Sequence, residues 1–313
     1  MKRTMFSLTL LLILSVALSG CSIVGSRISH ALGDEENYIM NEEIITEKVE
    51  SIDIDWRVGK VSITPWDGED IIVKEKSDTT LTSRTKMRVR NQDGNLTVED
   101  TAKGVWLLPL LFKKDLEVMV PVGVDLRIVD VKATSSSVYI SELSVMDVNI
   151  ESTSGDIVLD EMKVVGNTSL KSASGKIDAD MKAGVSFKAE TASGSIKTNI
   201  SESLTTLDAK SASGSLNIAV KDTERINTLS ASGKVELTVE GKCSSIDAVS
   251  SSGGVKLNLG EATTGFMMTA SSTSGRVQCD FPSSVIGDQY TWGDGSTKIR
   301  LRSTSGRVHA ARA

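Results

Sequence analysis

Histidine is nearly absent from this chain: only His30 and His309 occur in 313 residues. A Ser-His-Asp relay needs an imidazole held between a nucleophile and a carboxylate. Neither histidine has that setting, since one precedes any strand pattern and the other lies next to the C-terminus. Metal chemistry is as poorly supplied, with no HExxH, no CxxC and no Asp-rich nonapeptide repeat. Three cysteines cannot build a disulfide scaffold. Aromatics make up 4% of the residues, and a net charge of −6 offers no basic footprint for nucleic acid. What remains is a chain rich in Ser, Thr and Gly, a composition suited to repetitive β structure whose tight corners take small residues.

The N-terminus addresses the compartment. Lys2 and Arg3 precede an apolar run from Leu8 to Leu18, which is too short for a stable bilayer span and has the make-up of an export signal. It closes on Leu18-Ser19-Gly20-Cys21, which resembles the bacterial lipobox. Small residues let the scissile bond enter the signal peptidase, and the Cys21 thiol takes the diacylglyceryl group. Residues 1–20 therefore read as a cleaved lipoprotein signal peptide, and Cys21 as the lipid attachment site. Two or three acyl chains anchor firmly where one does not. Residues 21–48, with Asp34, Glu35, Glu36, Glu42, Glu43 and Glu47, read as an acidic tether. Ser22 stands where an inner-membrane retention signal of enteric bacteria carries Asp. The expected site is the outer membrane of a diderm, or the outer leaflet of the cytoplasmic membrane of a monoderm.

One phrase then recurs. Ser-x-Ser-Gly or Thr-x-Ser-Gly ends at Gly155, Gly175, Gly194, Gly214, Gly233, Gly253, Gly275 and Gly306, with gaps of 20, 19, 20, 19, 20, 22 and 31 residues. Period-two apolar positions follow each glycine, as in Ile157/Leu159, Ile177/Ala179 and Val255/Leu257, and precede most of them, as in Val148/Ile150 and Leu207/Ala209. A fixed period of this length marks one supersecondary unit stacked on itself. Glycine is expected to free the backbone for the bend, and the serines to satisfy backbone groups there. Four residues before successive corners stand Lys132, Glu151, Lys171, Glu190 and Lys210, an alternation that predicts in-register parallel stacking with opposite charges on neighbouring coils. Asp160, Asp180, Asn199, Asn258 and Asp280 share a second outward column. It reads as a solvated row in preference to a paired-carboxylate site. Cys243 and Cys279 read as small core residues.

Residues 49–130 carry strands outside the period: Ile52-x-Ile54-x-Trp56, Gly59-x-Val61-x-Ile63, Ile71-Ile72-Val73, Leu96-x-Val98 and Leu116-x-Val118-x-Val120. They are expected to form the first, irregular coils of the stack or a small sheet that serves as an irregular β cap, since an open stack exposes an edge. One segment breaks the alternation, Val105-Trp106-Leu107-Leu108-Pro109-Leu110-Leu111-Phe112 before Lys113-Lys114. It is either a strand or plug buried on both faces, or a contact loop. The cations beside Trp106, Leu107, Leu108, Leu110, Leu111 and Phe112 favour a loop that touches a membrane or an apolar groove on a partner.

The Val58-Gly59-Lys60-Val61-Ser62-Ile63 segment, the Val120-Pro121 strand end and the Ser-x-Ser-Gly-x-Ile/Val rungs resemble the bacterial "putative adhesin" family of β-strand-repeat proteins, a domain of unknown function. The resemblance covers residues 49–313 and implies no catalytic residues. The expected architecture is all-β, a parallel β-helix of about 19–20-residue coils over residues 131–313 with the irregular cap before it. The expected role is a non-enzymatic envelope lipoprotein with an adhesin-like surface for a ligand or an envelope protein, with no cofactor, metal or nucleic acid. A scaffold or sensor in membrane stress signalling is the alternative, and a polysaccharide-active enzyme a distant third.

Overall fold

The computed structural model describes residues 39–101 and 113–313, all strand, turn and loop. The N-terminal strands are β1 (Ile39–Ile45), β2 (Ser51–Trp66), β3 (Ile71–Ser77), β4 (Met87–Gln92), β5 (Asn95–Asp100), β6 (Lys114–Pro121) and β7 (Asp125–Ser141). The repeats supply β8 (Ser144–Ser152), β9 (Ile157–Val164), β10 (Asn167–Ser172), β11 (Ile177–Met181), β12 (Gly184–Thr191), β13 (Ile196–Ser211), β14 (Leu216–Ser230), β15 (Val235–Val239), β16 (Cys243–Ser250) and β17 (Val255–Leu259). The C-terminal set is β18 (Gly265–Ser272), β19 (Val277–Cys279), β20 (Ser284–Ile286), β21 (Gln289–Gly293), β22 (Thr297–Ser303) and β23 (Val308–Arg312).

Two parallel ladders organise these strands. The ladder before the corners runs β5, β2, β7, β8, β10, β12, β13, β14, β16, β22, β18. The ladder after the corners runs β6, β2, β7, β9, β11, β13, β14, β15, β17, β23, β19. Through the repeats, partners lie 19 or 20 residues apart, as in Leu170 against Ile150 and Ala189. Inward columns such as Val148, Phe187, Leu207, Ile226 and Ile246 are almost fully buried. Each aliphatic side chain buried this way contributes about 1.5–3 kcal/mol over its exposed state. The outward column holds its expected register: Lys132 pairs with Glu151, Glu151 with Lys171, Lys171 with Glu190 and Glu190 with Lys210.

The repeated phrase is an interlock between neighbouring rungs. The Ser172 hydroxyl accepts from the Gly175 N–H at 2.8 Å and donates to the Gly155 carbonyl of the next rung at 3.3 Å. Thr191, Ser211, Ser230, Ser250, Ser303 and Ser272 repeat both bonds. The glycine has a different reason from the one expected. None of these corner glycines has a positive φ. Instead, a Cβ on Gly175 would overlap the carbonyl oxygen of Gly155, and the same clash recurs at each glycine up the line. Close approach of two backbones demands glycine here, not freedom to bend.

Three expectations need correction. The corner ending at Gly306 does not follow the one ending at Gly275; it lies between Gly253 and Gly275, because β22 pairs with β16 on one side and β18 on the other. The region expected as an irregular cap, residues 49–130, contributes regular rungs: residues 51–56 and 58–63 stack on residues 128–133 and 135–140. The outermost rung at this end is β5 with β6, although β2 precedes both in sequence. Residues 39–45, expected within the tether, form β1, which pairs antiparallel with β3. The irregular elements are the antiparallel strands β1, β3 and β4 at one end and the β20–β21 hairpin on β18 at the other.

Candidate functional site

A groove of about 1070 Å³ runs along the corner line. Its wall is the outward column Asp55, Lys132, Glu151, Lys171, Glu190 and Lys210, continuing into Leu229. Its exposed floor is made of small residues, Thr153, Ala173, Ala192, Ala212, Ala231 and Ser251. The geometry follows from the interlock: the first serine of each corner turns inward to the glycine, so the next residue stands outward once per rung. Neighbouring rungs are about 4.8 Å apart, so shape repeats at that interval along the groove, while charge alternates in sign and repeats every second rung. Lys171 Nζ lies 2.8 Å from Glu151 Oε1, and Lys210 Nζ 4.0 Å from Glu190 Oε1. The hydrogen bond from Lys171 holds the Glu151 carboxyl below its ordinary range, and the same contact raises the Lys171 ammonium. Lys210 is raised too, first by its hydrogen bond to Asp208. The wall is thus self-neutralising, and suits a long ligand carrying donors and acceptors in place of a single charged one.

The second column is divided among local partners. A register shift between Ala179 and Met181, beside Glu161 at φ 49°, displaces Asp160 from direct opposition to Asp180. Asp160 accepts from the Tyr139 hydroxyl at 3.1 Å and Asp180 from Asn199 at 3.3 Å. Asn258 donates to Thr238, while Asp280 pairs with His309 at 2.8 Å and with Gln278. Among the described residues no three His, Cys, Asp or Glu side chains gather to hold a metal ion. Cys243 and Cys279 are free and half-buried. Cys279 stands in the inward column with Ala310 and Leu257, and burial pushes the Cys243 thiol up to about 11.

Cys21 and the contact segment Trp106, Leu107, Leu108, Leu110, Leu111 and Phe112 lie outside the described residues. Lys114, expected at the lipid headgroups, is instead fully buried between Glu75 and Asp100, with Nζ 2.7 and 2.8 Å from their oxygens. The signal was present in the alternation. Lys114 shares the inward phase of Leu116, Val118 and Val120, Glu75 that of Ile71 and Val73, and Asp100 that of Leu96 and Val98. Reading Lys114 as the partner of Lys113 hid that phase.

Over the described residues the chain is thus an all-β, repeat-built body with a long polar groove along its corner line. The chain belongs to the family described as Toastrack DUF4097, whose profile matches residues 49–310. No curated protein matches it. Among solved structures, a protein from Parabacteroides distasonis described as a "putative lipid binding protein" is 13% identical. The match covers 88% of this chain and 97% of that one, with a TM-score of 0.52, and shows a common fold. A "putative adhesin" from Bacteroides fragilis is 12% identical over 87% of this chain and 96% of its own, with a TM-score of 0.47. Among the described residues no helix is long and apolar enough to cross a membrane.

Proposed function

We propose that this chain is a non-enzymatic, adhesin-like binding protein held at the cell envelope by lipid on Cys21, and that its body is a parallel β-helix of 19–20-residue coils. The coil reading rests on the 19–20-residue offset common to both ladders. The binding reading rests on one observation, the groove whose small-residue floor repeats rung by rung and whose Lys/Glu wall repeats every second rung. Such a surface fits an extended polymer lying along the stack, each unit meeting the same pattern of donors and acceptors. The names borne by the similar structures, adhesin and lipid-binding, agree with binding in place of catalysis. A contact of residues 105–112 with the bilayer or a partner belongs to the same reading.

The groove is tested by immobilising the purified chain and measuring retention of cell-wall polysaccharide and of extracellular matrix protein. Ala192→Arg with Ala212→Arg should abolish retention of whichever polymer binds, without changing the melting temperature, because both side chains are exposed. Equal retention by this variant and the parent refutes the groove as the site. The anchor is tested separately: Cys21→Ser should release the chain from the membrane fraction and remove label supplied as a fatty-acid analogue. Undiminished label on that variant would overturn the lipid assignment.

A further inference from the structure

Three charged side chains meet in the interior at the N-terminal end of the stack. Lys114 opens β6, Asp100 closes β5 and Glu75 lies in β3; the side chains of Lys114 and Glu75 are 0% exposed and that of Asp100 1%. Lys114 Nζ is 2.7 Å from Glu75 Oε1 and 2.8 Å from Asp100 Oδ1. The amine is aimed, since Nζ also donates to the Thr85 carbonyl at 2.6 Å and lies 4.8 Å from the centre of the Trp56 ring. Trp56 is fixed in turn by its indole N–H, which donates to the Lys114 carbonyl at 2.9 Å. Glu75 is held by the Met87 N–H at 2.9 and 3.0 Å and by Asn41 Nδ2 at 3.0 Å.

We propose that Lys114 and Asp100 condense to an intramolecular isopeptide bond, with Glu75 as the catalytic proton relay. Glu75 takes a proton from the Lys114 ammonium and passes it to Asp100, leaving a neutral amine beside a neutral carboxylic acid. The Nζ lone pair attacks Asp100 Cγ, one C–O bond beyond the oxygen already in contact. Glu75 then moves a second proton from nitrogen to the departing oxygen. The Cγ–O bond breaks, water leaves, and Glu75 returns to its starting state. One ammonium and one carboxylate become one amide and one water, so no activating co-reactant is required. Three features favour the step. Fixed orientation makes the encounter unimolecular, a carboxyl within hydrogen-bond reach of the amine is placed to take its proton, and condensation removes two charges that are costly to keep out of water. The product ties the end of β5 to the start of β6, closing residues 100–114 into a covalent loop at the end rung.

Mass spectrometry of the denatured full chain decides it. The parent should be lighter than its sequence by one water. Trypsin should yield a branched species joining the peptide that contains Asp100 to the one that begins at Lys114. Lys114→Arg and Glu75→Gln should each show the full sequence mass and linear peptides. Glu75→Gln keeps shape and hydrogen-bonding reach, and circular dichroism verifies that it retains β structure. A folded parent at full mass with linear peptides overturns the proposal. A branch through Glu75 in place of Asp100 overturns the assignment of the electrophile, and a dehydrated Glu75→Gln chain overturns the relay.

Discussion

Gly175→Ala separates two accounts of the repeated glycine by the sign of its effect. If the glycine served only to bend the chain, the observed backbone, whose φ is not positive, would accept alanine. Stability would then rise by about 0.4–1 kcal/mol through the smaller entropy of the unfolded chain. In the stack, however, the new Cβ would overlap the Gly155 carbonyl oxygen and carbon, which belong to backbone and cannot swing aside. The two corners would have to part, loosening the Gly175 to Ser172, Ser172 to Gly155, Ala173 to Ser152 and Ser174 to Thr153 hydrogen bonds. At about 0.5–1.5 kcal/mol net for each of four bonds, the loss is roughly 2–6 kcal/mol. Urea unfolding followed by circular dichroism measures the sign, and amide exchange at Ala173 and Ser174 localises it, which matters because a long stack need not unfold in one step. Ser174→Ala, at an exposed position of the same corner, should stay within about 0.5 kcal/mol of the parent. A Gly175→Ala chain as stable as the parent would refute the close-approach account.

Lys171→Glu should cost on the order of 1 kcal/mol at low salt and less at high salt, with Glu190→Lys recovering part of it; no recovery would mean the three residues are not stacked. The folded-state value of Glu151 is depressed, so its stabilisation is present above the ordinary carboxylate range and is lost as pH falls through the lowered value. Lys171→Met should therefore make the acid limb of the stability curve shallower, and only slightly, since the pair is roughly half-exposed. With its thiol pushed up to about 11, Cys243 should resist iodoacetamide at neutral pH in the folded Cys279→Ala chain and react readily in urea; equal rates would contradict its burial. Truncation after Ser296 removes the rung between β16/β17 and β18/β19, so amides of residues 266–272 should exchange quickly while those of β14 stay protected.

The rung was legible and the order of rungs was not. Period-two alternation around each Ser-x-Ser-Gly identified the inward columns, and the run Lys132, Glu151, Lys171, Glu190, Lys210 fixed their register, because like charges stacked one rung apart would repel. Sequence distance carries no such constraint on order. The corner at 303–306 interlocks with Gly253 through the same two bonds that any other corner would make. What distinguishes the two final rungs is bulk. The 297–312 rung turns Ile299, Leu301, Val308 and Ala310 inward, whereas the 265–281 rung brings Phe266 and Phe281, whose ring centroids lie 5.2 Å from each other and 5.7 and 4.9 Å from that of Trp292 in the hairpin. The aromatic rung therefore takes the end, where large side chains close the core. β1 was missed because Ile39-Met40-Asn41-Glu42-Glu43-Ile44-Ile45 lacks alternation, and only its pairing with β3 orders it.

The out-of-sequence rungs also bear on how such a stack ends. A rung with parallel hydrogen-bonding edges and a serine–glycine corner is a template for another like it, so an end of that kind invites addition of further chains. Both ends of this stack depart from the template. At one, β3 runs antiparallel to β6 and β1 antiparallel to β3, and the interlock begins only at the Ser136 carbonyl, two rungs inside β5 and β6. At the other, β21 runs antiparallel to β18, so the ladder before the corners ends on an antiparallel strand. Placing β22 and β23 inside the last rung has a further effect. The C-terminal strand has a neighbour on each side, β17 and β19, and the Ala313 N–H donates to the Leu259 carbonyl at 3.0 Å.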